Sequence, residues 1–85
     1  MNRYKINVYN SKTDSEKNHI FTAISYPEAY FNAVQLLINI YPLSDKSCTI
    51  LSDSDMNTWE TACDKVYEED GIDISDIEEL DNENT

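Results

Sequence analysis

The chain has 85 residues, with 17 Asp and Glu against six Lys and Arg, a net charge of −11 with its one His neutral. At 40% hydrophobic content with a single Gly and two Pro, it is too apolar for disorder throughout, so one domain with a modest core is expected. The charge excludes direct, non-specific binding to nucleic acid, which needs cations facing the phosphates, and disfavours an anionic membrane surface for the same reason.

Residues 3–10 alternate, with Tyr4, Ile6 and Val8 on one face and Arg3, Lys5, Asn7 and Tyr9 on the other, the pattern of a half-buried strand. The polar stretch NSKTDSEKN at 10–18 reads as a flexible connection. A second strand follows at 19–24, with Ile20, Thr22 and Ile24 on one face and Phe21 and Ala23 on the other. Two strands joined this closely pair antiparallel.

Residues 25–41, SYPEAYFNAVQLLINIY, predict the main helix. Ala29, Ala33, Val34, Leu36, Leu37 and Ile40 recur at helical spacing. Ser25 caps it, Pro27 sits in the first turn, Glu28 completes a capping box, and Pro42 disfavours helical geometry at Tyr41. Residues 47–51, SCTIL, read as a third strand reached by a right-handed crossover, with the first strand in the middle of the sheet. At 59–67, Trp59, Ala62, Cys63, Val66 and Tyr67 fall on one helical face, with capping residues at 52–55 and a stop at Gly71. The competing reading makes 58–63 a fourth strand with a hairpin turn at Asp70–Gly71. Beyond Gly71, Ile72, Ile74, Ile77 and Leu80 keep a weak pattern, and Ser75 and Glu78 suit one capped helical turn. The expected fold is α+β: a small three-stranded, mainly antiparallel sheet packed by one long helix, with a second amphipathic helix and an acidic tail (β-β-α-β-α). Residues 1–80 form the single domain and 81–85 a disordered end.

The opening MNRYKINVYN lacks the apolar core of a signal peptide, and no 18-residue apolar run is present. A cytoplasmic location is therefore expected, with Cys48 and Cys63 as reduced, largely buried thiols. A bridge between them is the alternative.

Few residues suggest chemistry. Asp53, Asp55, Asn57 and Asp64 match positions 1, 3, 5 and 12 of an EF-hand loop, but Thr58 stands where Gly makes the turn. Glu60 stands where an apolar residue belongs, and no helix is expected before the loop. An acid-rich helix cap fits better, and neither a metal nor another cofactor is expected. His19 has no second His, Gly-rich loop or Cys/His spacing beside it, so no enzyme is expected. A carboxylate pair such as Asp64 and Glu68 would serve acid–base chemistry only if burial shifted a pKa.

The charge is the strongest signal. Residues 1–52 hold four acids against five bases, and residues 53–85 thirteen acids against Lys65 alone. On a helix, Glu60, Asp64 and Glu68 form an i+4 row about 6 Å apart along the axis, comparable with phosphates along one DNA strand. Asp70, Asp73, Asp76, Glu78, Glu79 and Asp81 extend it. The alternative is a solvated acidic face. Among the six tyrosines, Tyr9 projects from the polar side of the first strand and is the better interface candidate.

The opening RYKINVY, the junction AISYPEAYFNAVQLL and the acidic run after Asp53 together resemble small phage-encoded anti-defence proteins, including anti-CRISPR inhibitors and other DNA mimics. The resemblance implies an inhibitor, but it carries no residue roles over by position. The expected function is an acidic inhibitor, monomer or homodimer, that occupies a basic nucleic-acid-binding groove on a host defence or DNA-processing protein. Its partner-binding residues would be Glu60, Asp64, Glu68, Glu69, Asp70, Asp73, Asp76 and Tyr9. An acidic adaptor or structural protein without mimicry is the alternative.

Overall fold

The computed structural model of the chain describes residues 1–80, and the expected disordered end at 81–85 lies outside the described residues. The elements run β1 (Asn2–Asn10), β2 (Ser15–Ala23), α1 (Tyr26–Ile40), α2 (Asp45–Ser52), α3 (Trp59–Asp70), β3 (Ile72–Ile74) and β4 (Glu78–Leu80). The class is α+β, with four strands and three helices among the described residues.

The alternation in β1 does what its period dictates. Tyr4, Ile6 and Val8 are each at most 1% exposed. β1 and β2 form one antiparallel hairpin, in register from Asn2 opposite Ala23 to Asn10 opposite Ser15. The polar stretch expected to be a flexible connection is mostly strand; only the turn before Ser15 is irregular. Asp14 there adopts φ 53°, a left-handed conformation that a short carboxylate side chain tolerates. In β2, His19, Phe21 and Ala23 turn inward, while Ile20 is 58% exposed; Ile24, expected to belong to this strand, lies just past its end and is 66% exposed.

α1 covers the inner face of the sheet. Ser25 Oγ accepts a hydrogen bond from the Glu28 amide at 3.5 Å, and Glu28 Oε1 accepts one from the Ile24 amide at 2.8 Å. That is a capping box displaced by one residue. Before Pro42 the chain is extended at Tyr41, with ψ 147°, as the proline ring requires. Ala29, Tyr30, Ala33, Val34 and Leu37 are buried, whereas Leu36 is half-buried and Ile40 is 56% exposed. The buried stripe is therefore narrower than expected and centred one residue differently, on Tyr30 and Leu37.

Two expectations are corrected. Residues 47–51 are not a strand but part of α2. Ser44 caps that helix, accepting from the Ser47 amide at 3.2 Å, and Leu51 is fully buried. The sequence SDKS following Pro42 is a cap signal, and it prevails over a five-residue apolar run too short to define a period. The crossover disappears with that strand. The tail after Gly71 is not a helical turn. Ile72 and Ile74 alternate with Asp73, a two-residue period, and they extend the sheet as β3 beside Asn10 and Val8. After a break at 75–77, β4 continues along the same edge of β1. β1 is thus central and antiparallel to both neighbours, as expected, but its second neighbour is the C-terminal segment. Ser75 secures the break: its amide donates to the Asn7 carbonyl at 2.9 Å and its Oγ accepts from the Asn7 amide at 2.8 Å.

α3 matches its expected face at Trp59, Ala62, Cys63 and Val66, all buried, but Tyr67 is 47% exposed. Gly71 ends it at φ 72°, the left-handed geometry glycine adopts without penalty. Among the described residues no helix is long and apolar enough to cross a membrane.

Candidate functional site: an acidic groove between α1 and α3

The α3 row is exposed at all three positions, Glu60, Asp64 and Glu68. An i+4 step rotates about 40° around a helix axis, so the row drifts across the surface and its ends face different neighbours. Glu60 and Asp64 line a groove of about 460 Å³ together with Asp76, Tyr30, Trp59 and Ile74. Glu68 belongs with Glu69 to a separate hollow that also contains Lys46 and Lys65. Lys46 Nζ pairs with Glu69 Oε1 at 3.4 Å. The bases at that end offset the acids, and the groove end is left the more negative.

The groove's floor is fixed by buried aromatics whose polar tips are satisfied. Trp59, 2% exposed, donates its Nε1–H to the Ser75 carbonyl at 3.1 Å. Tyr30 donates its hydroxyl to Asp76 Oδ1 at 3.0 Å, and the same oxygen accepts the Ile77 amide at 2.9 Å. Burial first, then the hydrogen bond to Asp76, pushes the Tyr30 hydroxyl up to about 12. The two rings meet edge to face at 5.1 Å, a favoured aromatic geometry. Cys63 sits beneath the same wall. Burial, with the nearby charges of Asp64, Asp76 and Asp73, raises its thiol to about 12, so it has little thiolate character. Both cysteines are free, Cys63 buried and Cys48 half-buried.

The remaining sequence-derived candidates are committed elsewhere. Asp70 holds the start of α2, accepting the Ser44 amide at 3.0 Å and the Ser44 hydroxyl at 3.2 Å. Burial alone would raise its carboxyl, but the nearby Ser47 hydroxyl dipole and the two hydrogen bonds from Ser44 prevail and the net shift is downward. The Ser47 hydroxyl itself is buried with no hydrogen-bond partner among the described residues. Tyr9 and Asp73 are register partners on the opposite face of the sheet. Tyr9 donates to Asp14 Oδ1 at 2.8 Å, and that hydrogen bond is the main reason its hydroxyl pKa is raised. Lys5 Nζ lies 3.5 Å from Glu78 Oε1. Neither Tyr9 nor Asp73 lines the groove.

At the loop before α3, one objection to an EF-hand falls, since α2 does precede it. The other two stand. Asp55 Oδ1 accepts the Asn57 and Thr58 amides at 2.9 and 3.0 Å and the Thr58 hydroxyl at 3.1 Å. The Thr58 hydroxyl bond first, then the two amides, lowers the Asp55 pKa. This carboxylate organises the turn into α3. No group of three or more His, Cys, Asp or Glu among the described residues is arranged to hold a metal ion. His19 is 8% exposed, hydrogen-bonded at 2.5 Å to the Tyr41 hydroxyl through Nε2. It is a core residue, and burial lowers its pKa, with Lys17 adding to the effect.

Sequence reasoning missed two residues that shape the groove, Tyr30 and Met56. Met56 had a visible signal, as the one apolar residue inside SDSDMNT. No protein-family model matches this sequence, and neither the curated proteins nor the solved structures give a match. The functional reading therefore rests on the chain's own geometry and charge.

Proposed function

We propose that this protein is a non-catalytic, acidic binding module that occupies a basic, nucleic-acid-binding surface of another protein and so inhibits it, in the manner of anti-CRISPR and other DNA-mimic proteins. The observation that carries the proposal is the segregation of charge, thirteen acids against Lys65 after Ser52. It is concentrated locally where Glu60, Asp64 and Asp76 face one groove. Charge of one sign on a small domain opposes folding, and solubility alone needs much less of it. Carboxylates lining a groove bind cations and repel phosphates, so the partner is a protein with clustered Lys and Arg.

The test is a pull-down from a bacterial lysate at low and high salt, followed by competition on the recovered partner. Nucleic acid and this protein should exclude one another, and E60Q/D64N should weaken binding about tenfold while flattening its salt dependence. E68Q/E69Q should have a smaller effect, because Lys46 and Lys65 already share that hollow. A ternary complex formed with undiminished affinity for both ligands would end the mimicry reading and leave an acidic adaptor in its place.

A further inference from the structure

The acidic groove is one half of a longer cleft. Its walls at Tyr30, Met56 and Asn57 are shared with a second hollow of about 340 Å³ between α1 and the α2–α3 turn. That second hollow is the more apolar of the two, although Gln35, Ser52, Ser54 and Asp55 also line it. Val34 and Leu51, 5% and 0% exposed, lie at its base, while Phe31 and Met56 stand at its rim, 64% and 48% exposed. Phe31 lies outside the buried stripe of α1, and Met56 is the apolar residue of a polar turn. Scattered exposed apolar side chains are ordinary, but two flanking one hollow with an apolar base form a seat that another apolar group can complete.

We infer that the cleft receives a protruding segment of a partner protein, in which one large apolar side chain enters between Phe31 and Met56 and adjacent Lys or Arg residues lie along Glu60, Asp64 and Asp76. This rests on the acidic-surface reading above and adds the chemistry of the partner's contact. The choice of occupant follows from charge and from hydrogen-bonding capacity. The Tyr30 hydroxyl and the Trp59 indole N–H are already donated within the chain, so the polar half offers chiefly carboxylate oxygens. An occupant must bring donors and positive charge. A second copy of this chain, at −11, brings like charge to the same rim. Nucleic acid brings phosphates to carboxylates and has no large aliphatic group for the apolar half. A basic peptide segment with an apolar anchor satisfies both halves at once, in the way pockets and rim charges divide affinity and steering at protein interfaces.

The test uses fluorescent twelve-residue peptides in which a single Leu stands before or after a run of Lys and Arg, and matched peptides with Ser in place of Leu. Binding is read by anisotropy against the wild-type chain, F31S/M56S and E60Q/D64N, and by the Met56 methyl signal in a methionine-labelled sample. Both rim residues are exposed, so F31S/M56S should fold, which circular dichroism checks. For the better of the two peptide orders, the Leu peptide should bind the wild type at least about tenfold more tightly than its Ser counterpart, as expected for burying one Leu side chain. F31S/M56S should abolish that preference while leaving the Ser peptide unchanged, and the Met56 methyl should shift only with the Leu peptide. Equal binding of the two peptides, or a preference surviving in F31S/M56S, overturns the inference. In that event, loss of both peptides' binding in E60Q/D64N keeps the acidic-surface reading, and unchanged binding in that variant removes it too.

Discussion

Trp59 ties the start of α3 to the C-terminal strands, and replacing it with Phe tests whether that tie holds the sheet together. The substitution keeps an aromatic ring against Tyr30 but removes the indole N–H that reaches the Ser75 carbonyl at 3.1 Å. A net hydrogen bond contributes about 1 kcal/mol. The missing part of the ring leaves about 40 Å³ in a site only 2% exposed, which at ~24 cal/mol per Å³ costs about another 1 kcal/mol. The expected loss is therefore about 2 kcal/mol. A chain of this size has an unfolding entropy of roughly 0.18 kcal/mol/K, so Tm should fall by about 11 °C. The assay is thermal denaturation followed by far-ultraviolet circular dichroism, since the variant has no tryptophan to report. Hydrogen exchange adds a local readout: amides of β3 and β4 should lose protection before those of α1, because each of these strands is three residues long. A Tm change below about 3 °C, with protection in β3 and β4 unaltered, would refute the claim that Trp59 clamps the tail to the sheet.

His19, Gly71 and the two cysteines each give a further outcome. His19 has a folded pKa below its ordinary value, so the unfolded chain binds the extra proton more readily. Its contribution is present above the unfolded pKa near 6.5 and is lost as pH falls through that value toward the folded pKa. Chemical denaturation of wild type and H19Q between pH 5 and 7.5 should converge on the acid side; parallel curves would contradict the burial of the ring. In Gly71→Ala, the left-handed φ of 72° is retained only with strain, and the new Cβ would stand 2.7 Å from Ser11 Oγ. A loss of about 1–2 kcal/mol is expected from denaturant titration, and a neutral result would mean that the end of α3 is not held there. Finally, a thiol reagent on the native protein should modify Cys48 well before Cys63, whose thiol is both buried and raised to about 12. Equal rates, read by mass spectrometry, would show that the α3 face opens readily.

Much of this fold is legible in local sequence, because the features that decide it are local. The period of Tyr4, Ile6 and Val8, the Ser25–Glu28 cap, the Pro42 stop and the Trp59–Val66 spacing each act within a few residues. They identify the first strand, the main helix and α3 without reference to the rest of the chain. The net charge and its concentration after Ser52 are likewise properties of the sequence alone, the same however the chain folds. What the sequence misled on was the place beside β1, where a strand was expected from 47–51 and only a helical turn after Gly71. Residues 47–51 and 72–80 are both short and partly apolar, and neither carries a pattern long enough to choose helix or strand on its own. Tertiary structure decides between them: Ser44 and Asp70 hold the first as a helix, while Ile72, Ile74 and Ser75 meet Val8, Asn10 and Asn7 in register. The site was decided in the same way. A row of Glu60, Asp64 and Glu68 looks uniform on an isolated helix, and only packing against α2 and the C-terminal strands divides it. One end then lies beside lysines, and the other beside Asp76 and the cleft that Phe31 and Met56 flank. Electrostatic environment depends on neighbours distant in sequence, which spacing along one helix cannot encode.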